Sequence, residues 1–181
     1  MVENTPGSGA SLLAWALRQA YGRMVGLVAD LDDGALAWRP MPQSHSIGFA
    51  LWHIARCDDN YLRAHIQGRP EVWQEESWFQ SWGLDQDSTG MLLSDEEAAD
   101  LQLPSKEHML AYCKRVWDEP TGFVEGLGLE GLSRRVDQVE RTRGMSTGQV
   151  IITHIYGHDN RHLGEMEYLK GLLGLRGSVT L

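Results

Sequence analysis

Three histidines, His154, His158 and His162, recur at every fourth position near the end of the chain. The stretch that holds them, residues 153–173 with the sequence THIYGHDNRHLGEMEYLKGLL, is predicted to form one long helix. Residues four apart lie roughly 40° around the helix axis and one turn along it, so each adjacent pair presents two imidazoles on one face. A divalent metal bound by nitrogen usually takes at least three protein groups. The spacing therefore predicts two metal ligands and requires a third from elsewhere.

A candidate for the third ligand, His53, lies in the middle of a second predicted helix, SIGFALWHIARCDDNYLRAHIQ, over residues 46–67. The positions that share its face are mostly small or apolar, so its side chain is predicted to point inward. His158 and His162 likewise replace apolar residues on the stripe of the last helix that is predicted to face the core. Unsatisfied buried imidazoles cost about 1 to 3 kcal/mol each. The three histidines therefore need separate hydrogen-bond partners or one shared metal ion, and both interpretations stay open at this point.

The other histidines and one cysteine are weaker ligand candidates. His154 lies about 80° around the helix from His162 and two turns away, so one ion cannot easily take both and His158 too. We expect His154 to support the site from beside it. Cys57 is one turn from His53, but a free helical cysteine is more often a small core residue than a ligand. Three further histidines are expected at the surface or in local contacts: His45, His65 and His108.

Four long helices must position these residues, and they predict an all-α protein, a four-helix bundle. Their predicted bounds are residues 10–31, 46–67, 109–127 and 146–174, with a kink or break in the third near Pro120. Residues 35–43 contain two prolines and are predicted to be extended or turned and not helical. A long connection, residues 69–104, joins the second helix to the third and crosses the bundle; Ser94 and Glu97 have the capping-box pattern of a short helix within it.

The whole chain, residues 1–181, is predicted to be one domain, with the bundle over about residues 10–174 and a flexible stretch over residues 1–9. Its net charge is -9, and no Lys/Arg-rich run is present to neutralise phosphates, which argues against nucleic acid as a partner. A small molecule is the expected partner instead. Because the chain has 2 cysteines and neither a signal-like start nor a long apolar run, we expect a cytoplasmic protein that does not insert into a membrane. Tryptophans in the 70s suggest a helical surface compatible with a homodimer.

Two stretches carry a resemblance to a known family: SIGFALWHIARCDDNYL on the second helix and HDNRHLGEMEYLKGLLG on the last. Together with LAWRPMP before the second helix, they resemble the DinB-like (YfiT-type) metal-binding bundle proteins from Trp15 to about Gly174. The resemblance implies a four-helix bundle in up-down-down-up order. It also implies a divalent metal, commonly zinc or nickel, held by His53, His158 and His162.

The chain departs from the family pattern after the last of these histidines. Many members continue as His-Arg-Gly-Gln, whereas this chain has Leu163, Gly164 and Glu165 after His162. Substrate contacts are therefore not transferred by resemblance, although Glu165 is expected to lie near the metal.

A metal on three neutral imidazoles keeps a coordination position open, which is typical of catalytic sites. By resemblance to relatives that use mycothiol or bacillithiol, we expect a metal-dependent low-molecular-weight thiol transferase or a detoxification enzyme; activation of a bound water for hydrolysis is the related option. Glu165 is then a candidate base, or an acceptor that orients a metal ligand. Asn60 or Tyr61 is a candidate contact to the substrate or the thiol. The alternatives are a non-catalytic metal- or ligand-binding sensor or scaffold, and a bundle in which the histidines are purely structural.

Overall fold

The computed structural model describes residues 7–177, with Pro120 described by its backbone only. Within this range the protein is all-α, as predicted, and its only pairing of strand type is an isolated bridge between Arg135 and Ser146. The α-helices in chain order are α1 (Gly9–Val28), α2 (Asp33–Ala37), α3 (Ile47–Asp59), α4 (Val72–Glu75), α5 (Trp78–Trp82), α6 (Asp95–Asp100), α7 (Lys106–Gly126), α8 (Leu129–Ser133), α9 (Thr147–Val150) and α10 (Gly157–Leu172).

Four long helical segments enclose the core. Helix α1 packs against α7 and α10, and α3 packs against the same two helices, so α1 and α3 lie at opposite corners of the bundle. Each contributes an apolar face that is buried almost completely, for example at Leu17 and Met24 of α1 and Leu51 and Ile54 of α3. The up-down-down-up order stays a prediction. No helix among residues 7–177 has both the length and the apolar character needed to cross a bilayer.

Both helices that carry the candidate ligands change their winding. Helix α3 continues as a π-helical stretch, Asn60–Gln67, and α10 is preceded by another, Ile151–Tyr156, which contacts the first. Such stretches of i→i+5 hydrogen bonding occur frequently at functional sites. The prediction for the last helix assumed one regular α-helix from His154 to His162. His154 instead lies in the π-helical stretch Ile151–Tyr156, whereas His158 lies in α10.

Several predicted boundaries were wrong for identifiable reasons. The Asp32 side chain accepts a hydrogen bond from the backbone N–H of Ala35 at 2.7 Å and so caps α2, where an extended or turned segment was expected. The predicted break near Pro120 is absent, because α7 continues to Gly126 and its buried face extends from Trp117 to Val124; the alternative of a kink there stays a prediction. Of the predicted flexible stretch, residues 1–6 lie outside the described range, whereas the Ser8 side chain caps α1, which begins at Gly9.

The long connection carries α4, α5 and α6, and the predicted capping box of Ser94 and Glu97 is confirmed at the start of α6. The tryptophans of its first half do not form an exposed surface. Trp73 is fully buried, and Trp78 and Trp82 pack on the buried ring of Tyr112. A homodimer therefore stays a prediction without support from this stretch.

Candidate metal centre

The structure brings together the three histidines that the resemblance implied. His53 comes from α3, and His158 and His162 come from successive turns of α10. One ring nitrogen from each lies within 4.8 Å of the others, and this group could hold a metal ion. The Nε2 atoms of His53 and His158 are 3.1 Å apart. Two nitrogen ligands on a tetrahedral metal at 2.0–2.1 Å lie about 3.3 Å from each other, so the spacing fits a shared ion.

The outer nitrogens of two of these rings are held by acceptors. His53 Nδ1 lies 2.5 Å from the carbonyl oxygen of Thr89, and His162 Nδ1 lies 2.6 Å from Oε2 of Glu165. Both partners accept hydrogen bonds, so each Nδ1 carries the proton and each Nε2 presents a lone pair to the centre. Carbonyl and carboxylate acceptors behind the ligands are the usual arrangement around protein-bound metals.

The surroundings of the two ring nitrogens of His158 indicate that a cation fits this site. Its Nδ1 is buried without a hydrogen-bond partner and lies 3.8 Å from Oδ1 of Asp159. If His158 donated from Nε2 to His53, the lone pair on its Nδ1 would face a carboxyl oxygen. If it carries the proton on Nδ1 instead, two Nε2 lone pairs face each other at 3.1 Å. In the second case a cation between the two Nε2 atoms removes the repulsion of the lone pairs, so the donor set fits a transition metal.

The protonation state of the rings suits the same role. Burial lowers the pKa of His53 to about 3 and that of His158 to about 4, and it also lowers the pKa of His162. All three imidazoles are therefore neutral near pH 7, which is the form that binds a metal.

A strap, residues 85–91 of the long connection, fixes His53 from outside. The Arg56 side chain donates from Nε to the Ser88 carbonyl at 3.0 Å, next to the Thr89 carbonyl that receives the His53 hydrogen bond. Gly90 follows with φ +84°, and a Cβ at this position would lie 2.9 Å from Trp52 and 3.2 Å from His53 Nδ1. Only glycine allows the strap to approach the ring so closely.

A cavity of about 280 Å³ opens beside His158. Tyr61, one of the predicted substrate contacts, lies in its wall, as does His154, whose ring stacks on Tyr61 at 5.1 Å between centroids. His154 is thus separate from the three-histidine group and belongs to the cavity. The residues that line the cavity are Cys57, Tyr61, Met91, Arg141, Thr153, His154, His158 and Arg161.

The remaining sequence-predicted residues occupy different positions. Asn60 does not line the cavity, and its amide donates to Glu71 at 2.8 Å. Cys57 Sγ lies 3.8 Å from His53 Nδ1, and burial raises the pKa of its thiol to about 12. Outside the three-histidine group, His45 contacts the ring of Phe49, His65 contacts Tyr61 and His108 contacts Ser105.

Sequence reasoning missed a buried carboxyl pair behind the metal site. Asp58 of α3 and Asp159 of α10 are both fully buried; Asp58 accepts from Trp117 Nε1 at 2.9 Å, and the Tyr21 hydroxyl lies beside it. Burial holds the pKa of both carboxyl groups well above the usual range, and the charge of Asp159 raises that of Asp58 further. The signal in the sequence that could have predicted this pair is an acidic residue on the predicted core-facing side of each of the two helices.

Fold and site together define an all-helical bundle protein with a candidate three-histidine metal centre beside a small cavity. The family model of the DinB superfamily matches residues 16–166, and the chain belongs to that superfamily. It is also similar to the crystal structure of a conserved protein from Enterococcus faecalis, with 18% identity, a TM-score of 0.80, and coverage of 92% of this chain and 98% of that one. At this identity the likeness concerns the fold alone. None of the curated proteins matches the chain.

Proposed function

We propose that the protein is a metal-dependent enzyme that transfers a low-molecular-weight thiol to an electrophilic small molecule in the cytoplasm. The observation that carries the proposal is the convergence of three neutral imidazoles, each with Nε2 available, at the edge of a cavity that a small ligand can enter. Three protein ligands leave a coordination position open, whereas purely structural sites are closed by four. Zinc or nickel suits an all-imidazole donor set.

When bound, the metal lowers the pKa of a coordinated thiol and presents its sulfur as the thiolate. The chain supplies the rest. His53, His158 and His162 hold the ion, and the Thr89 carbonyl and Glu165 keep two of the rings oriented. Because Glu165 is already bonded to His162, its geometry favours this orienting role over that of a general base.

In the proposed transfer, the thiol sulfur forms a bond to an electrophilic carbon, and the bond from that carbon to its leaving group breaks with its electron pair. The thiol proton passes to solvent. Tyr61 and His154 line the cavity, and they are the proposed contacts to the substrate. We infer no substrate role for Asn60, because its amide is used by Glu71.

The experiment is a turnover assay of zinc- and nickel-loaded protein with a panel of thiols, including mycothiol, bacillithiol and glutathione, and a chromogenic electrophile. The expected result is metal-dependent product formation with at least one thiol, which is abolished in His158→Ala. The alternative function is a non-catalytic metal-binding sensor or scaffold. It predicts stoichiometric metal, no turnover with any thiol, and a ligand response that the histidine substitutions alter without an activity to abolish.

A further inference from the structure

The cavity beside His158 is positively charged although the chain carries a net charge of -9. Arg141 and Arg161 are its charged lining residues, and no Asp or Glu lines it. Arg161 lies three residues after His158 on α10, so the two side chains share a face of the helix. Arg141 comes from a different element, the short 3-10 helix Glu140–Thr142.

Both arginines lack an acidic partner. Among the residues that the structure describes, neither Arg141 nor Arg161 lies within ion-pair distance of a carboxylate, whereas Arg143 next along the chain pairs with Glu140. Nη1 of Arg141 lies 3.0 Å from the sulfur of Met91, a weak acceptor, and the guanidinium also interacts with the Tyr61 hydroxyl in the cavity wall. Neither guanidinium group is neutralised by a carboxylate among the residues that line the cavity.

Neighbouring groups respond to this charge. The largest cause of the lowered pKa of His158 is its burial, and the second largest is the positive charge of Arg161. The charge of Arg141 also lowers this pKa. Burial raises the pKa of Tyr61, and the adjacent Arg141 guanidinium opposes that rise. The positive field thus extends from the cavity mouth to the candidate metal ligand.

We infer that Arg141 and Arg161 bind a carboxylate group of the small molecule that enters this cavity. The inference rests on the proposed function in that it assigns the substrate class of the same site, an anionic thiol or an anionic electrophile. The guanidinium groups fix the carboxylate end, since arginine pairs with carboxylates through two parallel hydrogen bonds. The reactive end then lies at His158. A cavity of about 280 Å³ limits the bound part to a small molecule.

The experiment compares acids with their neutral amides of the same shape. Cobalt-substituted protein is titrated with 3-mercaptopropanoate and with 3-mercaptopropanamide, and binding is followed by the thiolate-to-cobalt absorption band. We expect the acid to bind about tenfold or more tightly than the amide, because hydrogen bonds between charged groups are the strong ones. The preference should fall below about threefold in Arg141→Gln/Arg161→Gln and persist in the control Arg143→Gln.

A second titration separates this inference from the proposed function. Metal-free protein is titrated with butanoate and butanamide and observed by NMR, so the carboxylate preference is measured whether or not metal binds. If acid and amide bind equally in both titrations, or if the double variant keeps the wild-type preference, the arginine inference is overturned while metal and thiol binding can still stand. If butanoate is preferred in an arginine-dependent way but no thiol reaches cobalt, the anion site stands and the proposed thiol chemistry fails.

Discussion

The Nε2 atoms of His53 and His158 face each other at 3.1 Å, while Nδ1 of His53 is held by a backbone carbonyl and Nδ1 of His158 lies buried beside the carboxyl of Asp159. Because the Nδ1 proton of His53 is donated to that carbonyl, its Nε2 presents a lone pair to His158. A cation bound between α3 and α10 would take the Nε2 atoms of both rings.

Glu165 orients His162, and its removal should weaken metal binding. In Glu165→Ala the Nδ1 proton of His162 loses the acceptor at 2.6 Å, so the ring is free to rotate and its Nε2 is a weaker ligand. Loss of such an outer partner typically reduces metal affinity about 10- to 100-fold. Competition with a chromophoric chelator measures this change. The matched control, Glu167→Ala, removes the same charge from the same helix, and equal affinities in the two variants would contradict the role of Glu165.

Gly90 lets the strap reach His53. In Gly90→Ala the new Cβ would lie 2.9 Å from Cζ3 of the buried Trp52, and φ +84° is unfavourable for any L side chain. We expect the free energy of unfolding to fall by about 1 to 3 kcal/mol and metal affinity to fall with it. Denaturant unfolding and chelator competition measure the two effects. The control, Gly171→Ala in α10, has open space for a Cβ and should be neutral or stabilising; a Gly90→Ala protein as stable as this control would refute the close approach.

Arg56 is fully buried and binds the long connection at two places, at Glu71 near its start and at Ser88 in the strap. Its Nη1 lies 2.7 Å from Glu71 and 3.7 Å from Asp59, and its Nε donates to Ser88. Arg56→Leu leaves the two carboxylates buried without their counter-charge, so we expect a loss of about 3–5 kcal/mol in the free energy of unfolding. Chemical denaturation measures it.

The control for Arg56 is the exposed pair of Arg18 and Glu125, whose atoms are 3.2 Å apart. Arg18→Leu should change the free energy of unfolding by at most about 1 kcal/mol, because solvent screens this pair. A similar loss in both variants would contradict the role assigned to the buried network.

Asp58 should make stability depend on pH in a defined direction. Its folded-state pKa is raised by burial and by Asp159, so between the unfolded pKa of about 3.9 and the folded value the native state binds more protons. The free energy of unfolding therefore falls as pH rises through that window. Asp58→Asn keeps an acceptor for Trp117 and removes the titration, so its stability relative to wild type should grow as pH rises through that window.

This pH dependence is measured by urea unfolding at several pH values with the same metal content in both proteins. The matched control is Asp100→Asn, the same substitution at an exposed position. A stability difference between Asp58→Asn and wild type that is independent of pH would contradict the raised pKa of Asp58.

The sequence predicted the candidate ligand group because its signals are local or familial. The spacing of four residues puts His158 and His162 on one face of a regular helix, and the stripe around His53 indicated burial. Helix geometry also indicated that His154 lies beside the group and not within it; its stacking on Tyr61 could not be predicted, because it depends on how the two π-helical stretches pack. The acceptor for His53 could not be predicted, because it is a backbone carbonyl in a connection without periodicity and carries no residue signature. The meeting of Asp58 with Asp159 depended likewise on how α3 and α10 pack.

The central claim is tested most directly by elemental analysis of untagged protein after purification and after metal addition. We expect about one equivalent of a transition metal, zinc or nickel, per wild-type chain. We also expect loss of that metal in His53→Ala, His158→Ala and His162→Ala, and retention in His154→Ala. A wild-type protein that contains less than about a tenth of an equivalent and takes up none on addition would contradict it.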